Sequence, residues 1–214
     1  LLESTKPNGV LNFDRNYLIT GVVKIINGDS DRDLLIWTDD LNPPRVINIE
    51  RSKGYGVDGF DEQDISLVKR APRYAPEVVM TNTPLTTENE LVNKFYSFAY
   101  RYKYLDGGNS PLSSFTNYQF SPSKFDMDYQ TMENRGMANS FNAVKIEFDT
   151  GDHRVTDVEL VYKESGSNTV FLIESFNKLN QEWADNVPKD FTFFNNKSLV
   201  ALPQDELFRT FDNI

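Results

Sequence analysis

The sequence predicts a mainly β protein of antiparallel sheets with few short helices. Three observations carry this. "NAVKIEFD" sets Val144, Ile146 and Phe148 on one face and Lys145, Glu147 and Asp149 on the other, and "VTDVELVYK" repeats the scheme with Val158, Leu160 and Tyr162. "FYSFAYRYKYLDGG", residues 95–108, has an aromatic at every second position, so that Tyr96, Phe98, Tyr100, Tyr102 and Tyr104 share one face of a strand. Helical spacing is scarce, confined to Phe176, Leu179 and Trp183 and to two turns within "QDELFRTF".

Taken in order, residues 10–70 begin with "YLITGVVKII", rich in β-branched residues and read as a strand. "DLLIWTDDLNPPRVINIE" follows and breaks at Asn42-Pro43-Pro44, because proline cannot serve a central ladder. It therefore reads as strand 34–38, turn, strand 45–50. Residues 69–90, punctuated by prolines, read as a linker or extended connection, with at most one helical turn at the Thr87–Glu90 capping-box pattern. The aromatic strand comes next, then the turn "DGGNSP", where Gly107 supplies a positive φ, then "LSSFTNYQF" as its partner strand. A polar stretch leads to the second β region, in which "TVFLIESF" is a continuous apolar run suited to burial on both faces. Three regions result: 1–75 with the first hairpins, 76–125 with linker and aromatic hairpin, and a sandwich-like 126–214 expected to continue beyond the chain end.

Composition excludes much chemistry. The 214 residues carry a formal net charge of −10 and no cysteine. Lys and Arg are what neutralise phosphates, so an acidic chain is poorly suited to specific nucleic-acid contact or to an anionic membrane surface. No apolar run approaches the roughly 18–20 residues that span a bilayer. Without cysteine there are no disulfides, thiolate nucleophiles or thiolate metal sites. The single histidine, His153, lies in the polar "TGDHRVTD" and reads as a solvated turn residue. No catalytic constellation assembles, so the expectation is a non-enzyme without cofactor or small-molecule substrate. The first residue is Leu rather than Met, which suggests a piece of a longer chain.

The aromatic ladder has three readings: a stacking surface for bases, a sugar-binding surface, or one wall of a core. Base binding needs a basic groove along the stack, yet Arg101 and Lys103 fall on the opposite face. Sugar binding needs exposed rings beside polar partners such as Asp106 and Asn109. Packing is the preferred reading. Asp29, Asp31 and Asp33 have the spacing of calcium ligands, with Asp40 at the twelfth position, but Leu34 stands where such a loop needs glycine, so an acidic hairpin loop is preferred. Gly54, Gly56 and Gly59 match G-x-G-x-x-G by count without the strand and helix that would make it a phosphate loop.

Taken singly, W-T-D at residues 37–39 resembles propeller-blade-like hairpins, and Y-R-Y-x-Y with D-G-x-x-S at 100–110 resembles a hairpin of a fibronectin III/Ig-like sandwich; three stretches together resemble a known family. "LLIWTDDLNPPRVINIE", "FAYRYKYLDGGNSPLSSF" and "DELFRTFDNI" occur in an order similar to that of the tail stabilisation or muzzle proteins of crAss-like bacteriophages. The resemblance implies a structural virion protein of the phage tail, a subunit of a homo-oligomeric ring that contacts other tail proteins and helps retain and guide the genome and ejected proteins. The alternative is a carbohydrate-binding or adhesin β-sandwich module. The residues singled out are structural: Trp37 anchoring the first hairpin, Asn42, Pro43 and Pro44 shaping its turn, Arg45 pairing with Asp39 or Asp40, Gly107 in its turn, and Tyr100, Tyr102 and Tyr104 as the wall.

Overall fold

A computed structural model describes residues 9–26, 33–55 and 59–208. The fold is mainly β, built of antiparallel sheets, and divides into two compact units. Among the described residues, the first unit holds those up to Arg70 together with Tyr104–Ser110, and the second holds Ala71–Lys103 and Pro111–Phe208. The three regions read from the sequence are thus distributed over two units, with the aromatic strand up to Lys103 and all of 126–208 in one.

In the first unit β1 (Gly21–Ile25), β2 (Leu34–Thr38) and β3 (Arg45–Asn48) form an antiparallel meander in the order β1-β2-β3. Register sets Val23 opposite Ile36 and Leu34 opposite Asn48. The strict two-residue alternation of the side chains makes two small cores, one on each face of the sheet. Leu34 and Val46 gather Ile25, Ile36 and Leu67; Trp37, Ile47 and Ile65 gather Val10, Leu11 and Leu35. The third strand ends two residues before the expected position 50. The Asn48 carboxamide accepts from the Arg51 N–H and caps the short helix α1 (Ile49–Ser52), which takes over the chain there.

The second unit is sandwich-like. Its strands are β4 (Glu77–Thr81), β5 (Tyr96–Tyr104), β6 (Met127–Asp128), β7 (Glu133–Asn134), β8 (Ala143–Asp149), β9 (Val155–Glu164), β10 (Val170–Asn177), β11 (Pro188–Phe193) and β12 (Val200–Leu202), followed by helix α2 (Gln204–Phe208). One sheet runs β12-β10-β9-β5, the other β11-β8-β4, and β6-β7 is a separate small hairpin. Aromatic rings fill the space between the two sheets: Phe98 meets Phe193 edge-on at 5.5 Å, Tyr100 lies 6.0 Å from Phe148, and Phe176 lies 5.5 Å from Phe191. Two antiparallel layers with side chains interleaved between them are what makes the unit sandwich-like.

Three expectations are corrected. Residues 77–81 are not linker but β4, which pairs with β8 and puts Val78 opposite Ile146. The helical spacing of Phe176, Leu179 and Trp183 makes no helix: β10 runs through Asn177, the chain then turns, and Leu179 is exposed. Phe176 and Trp183 meet instead at 5.4 Å across the turn. The partner of the aromatic strand is not a regular ladder either. Ser113, Thr116 and Gln119 donate from their backbone N–H groups to the carbonyls of Tyr100, Phe98 and Tyr96, three residues advancing against two. The Ser113 and Thr116 hydroxyls accept from the N–H groups of Tyr100 and Phe98, so side chains complete the pairing that backbone spacing leaves open.

Candidate functional site

The ladder is a core wall. Tyr96, Phe98, Tyr100 and Tyr102 are buried, and only Tyr104 at the strand end is half-buried. The Tyr104 hydroxyl donates to the Arg70 carbonyl at 2.6 Å. The Tyr102 hydroxyl donates to the Asp149 carbonyl at 3.3 Å. Burial, reinforced by Glu164, raises the Tyr96 phenol well above its ordinary value and pushes Tyr162 up to about 12; burial raises Tyr100 too. A folded-state value above the unfolded one near ~10 means that this contribution to stability is present below pH ~10 and lost as pH rises through ~12. An alkaline titration should therefore show the buried tyrosines ionising late, together with unfolding read by Trp183 fluorescence. Ionisation of all ten tyrosines in one step near pH ~10 would contradict the burial.

On the opposite face of β5 lies an ion cluster that sequence reasoning missed. Arg101 is 0% exposed; its Nε donates to Glu159 Oε2 at 2.6 Å, and its other nitrogens reach the Glu206 carbonyl at 3.1 Å and Oε1 at 3.4 Å. Lys103 reaches Glu159 Oε1 at 2.9 Å. Beside the cluster, Ala99, Val161, Val170 and Leu202 pack with Leu112, Phe115 and Leu207. The odd face of β5, which carries Arg101 and Lys103 opposite the aromatics, is partly covered by α2 and the segment after the turn. The second and third sequence motifs thereby meet, through Arg101 and Glu206. These contacts tie α2 to β5.

The W-T-D-x-x-N-P-P-R stretch makes a polar latch in the first unit. Asp39 is buried and accepts from the Leu41 and Asn42 N–H groups and from Asn42 Nδ2. Asn42 in turn accepts from Asn12 Nδ2 at 2.9 Å. Arg45 does not form the expected ion pair with Asp39 or Asp40. It donates to the Val10 and Leu11 carbonyls at 2.8 Å each and approaches Glu62 at 4.0 Å. The reason is that Asp39 is already committed to closing the turn. Pro44 keeps its carbonyl for the Leu67 N–H, and Pro43 and Pro44 sit in that same turn. Trp37 is buried against Ile47 and Ile65. Gly107 has φ 82°, in the left-handed region that favours glycine.

Burial raises the Asp39 carboxyl, but the hydrogen bonds from Asn42 and Leu41 and the Arg45 charge outweigh it and leave the group below its ordinary value. Its contribution to stability is thus present above pH ~3.9 and lost as pH falls through the lowered value. Asp39→Asn should destabilise the first unit by about 1–2 kcal/mol at pH 7. The gap from wild type should close as pH drops below ~4, followed by Trp37 fluorescence in a Trp183→Phe background. A gap independent of pH would contradict the assignment.

No metal site forms among the described residues. Of the calcium candidates, Asp33 pairs with Lys24 at 3.2 Å across β1 and β2, and Asp29 and Asp31 lie outside the described residues. In the glycine pattern, Gly56 also lies outside them, and Gly59 has φ 74°. His153 is exposed in a turn.

What the structure leaves unused is an edge. β3 is closed on its outer side by residues 65–67, through the Val46 N–H to Ile65 carbonyl bond at 2.9 Å. β1 is the other edge of the meander, and its residues Gly21 to Lys24 are exposed while Ile25 leans on the Leu34–Val46 core. Val22 and Val23 are 59% and 57% exposed, and Leu18, Ile19 and Ile26 continue the exposed apolar run. Among the described residues no strand pairs with the outer side of β1, and an exposed apolar sheet edge is a template for another strand that monomeric proteins normally blunt. Lys24 is the only charge on β1, and Asp33 neutralises it. No family model matches the chain, and no curated protein or solved structure matches it.

Proposed function

We propose that this chain is a structural virion protein, a subunit of a bacteriophage tail ring of the crAss-like muzzle or stabilisation class, helping to retain and guide the genome and ejected proteins. The exposed apolar edge of β1 carries the reading. Strand addition at a sheet edge provides directional main-chain hydrogen bonds, and repetition round a ring multiplies them. The net charge of −10 suits a wall past which DNA phosphates move without adhering. The carbohydrate-binding alternative drew on exposed ladder tyrosines, and those of β5 up to Tyr102 are buried.

Peptide mass spectrometry of purified virions tests the proposal. Peptides spanning the chain at fixed stoichiometry relative to other tail proteins are the expected result, and absence from particles would overturn it. Within that setting, Val22→Lys with Val23→Lys should leave the fold intact, because both residues are exposed, and reduce incorporation into particles at least about tenfold. Unchanged incorporation would remove β1 from the assembly.

A further inference from the structure

The second unit contains a recess of about 320 Å³ whose walls include Ile173 and Glu174 of β10, Phe191 and Phe193 of β11, and Lys197 and Leu199 of the connection from β11 to β12. It stays open because the strand beside it is short. β12 pairs only with Val170–Leu172, so from Ile173 onward β10 has no strand on that side among the described residues, and β11 is an edge of the other sheet.

A β-bulge sets the chemistry of one wall. Leu172 stands opposite Val161 and Glu174 opposite Leu160, which makes Ile173 an extra residue in β10. Before the bulge Phe171 is on the intersheet side, stacked on Tyr162, which meets Phe193 at 5.2 Å. After it Phe176 is on that side, against Phe191. Unbroken alternation from Phe171 would turn Glu174 outward; counted back from Phe176, it faces inward. The Glu174 carboxylate thus lines an aromatic recess, half-buried, with no hydrogen bond or ion pair among the described residues.

Lys197 supplies the opposite charge on another wall, and it too has no partner among the described residues. The two charges do not pair with each other. The connection that carries Lys197 is anchored: Asn195 holds φ 52°, and its Nδ2 donates to the buried Tyr96 hydroxyl at 3.2 Å. One carboxylate and one ammonium, both left over by the fold on an apolar surface, are complementary to a molecule with an ammonium, a carboxylate and an apolar body. A ligand of single charge would leave one of them unanswered. The recess lies at the small end of the roughly 300–1,000 Å³ typical of ligand sites, which limits the molecule to about the size of one amino acid.

We propose that the recess binds a free α-amino acid with an aromatic or branched apolar side chain. Its ammonium meets Glu174, its carboxylate meets Lys197, and its side chain packs against Ile173, Phe191 and Leu199. The site goes beyond the proposed function and does not rest on it.

A chemical-shift titration of the isotope-labelled chain with L-phenylalanine tests the site. Saturable shifts at the amides of Ile173, Asn195 and Lys197, with a Kd of about 1 mM or below, are the expected result. Phenethylamine lacks the carboxylate and hydrocinnamate lacks the ammonium, so each should bind at least about tenfold more weakly, and glycine, without an apolar body, weaker still. Glu174→Gln should weaken phenylalanine about tenfold and leave hydrocinnamate unchanged or tighter. Lys197→Met should weaken phenylalanine similarly and leave phenethylamine unchanged or tighter. Both side chains reach solvent, so each variant should keep the wild-type urea midpoint, which separates lost binding from lost folding. No shifts with phenylalanine up to about 10 mM, equal affinity for the three aromatic probes, or an affinity unmoved by either variant would each overturn the site. Tighter binding of an apolar tripeptide with both termini blocked would also overturn it, in favour of strand addition at the open edge of β10.

Discussion

Replacing Glu159 with alanine lowers the stability of the second unit by about 3–5 kcal/mol, because it leaves the Arg101 guanidinium buried without its carboxylate. The loss is large since Arg101 cannot reach water and its remaining partners, the Glu206 carbonyl and carboxylate, lie at 3.1 and 3.4 Å rather than 2.6 Å. Lys103, about a third exposed, can turn to solvent and suffers less. Urea unfolding read by Trp183, in a Trp37→Phe background so that only this unit reports, measures the effect. The paired replacement Arg101→Met with Glu159→Leu should recover most of the loss, since removing both charges removes the desolvation penalty along with the attraction. A single-site loss below about 1 kcal/mol would mean that the cluster behaves like a surface pair.

Phe98→Ala is the second large expectation, at about 3–5 kcal/mol of lost stability from the transfer of its ring and the cavity left between the sheets. Phe98 is fully buried, with Phe193 edge-on at 5.5 Å and Tyr96 at 6.3 Å. Its aromatic contacts come from both sheets, which restricts how far the site can collapse around a cavity. Phe125→Ala is the internal comparison: an exposed ring whose removal should change unfolding by no more than about 0.5 kcal/mol. If the ladder were a ligand surface, the two substitutions would be equally mild. Trp183 fluorescence separates the outcomes.

How much of this was legible depended on whether a local pattern had a competing nonlocal partner. The alternation in "NAVKIEFD" and "VTDVELVYK" became β8 and β9, because one face of each met the opposite sheet. Residues 77–81, "EVVMT", were hidden among prolines, and only pairing with β8 decided that they are a strand. Phe176, Leu179 and Trp183 had helical spacing by coincidence. Phe176 was already spoken for by Phe191 and Phe148 in the intersheet core, and that packing outweighed a short-range preference.

Arg101 is the clearest case of a residue whose meaning was absent from its neighbourhood. Alternation correctly set it apart from the aromatic face. Nothing local indicated that Glu159, 58 residues away, and Glu206, 105 residues away, would converge on it. Arg45 shows the same limit: an acid close in sequence looked like its partner, but Asp39 was consumed by its own turn.

The sequence by itself determined the β class, the inward aromatic face of β5, the proline-bounded hairpin and the glycine turn at Gly107, since alternation, proline and positive φ act within a few residues. Tertiary structure alone decided which faces are covered. It buried Arg101 and Glu159, it tied Arg45 to the carbonyls of Val10 and Leu11, and it left β1 and the β6-β7 hairpin in solvent. Burial depends on what other segments arrive, and that information is spread over the whole chain.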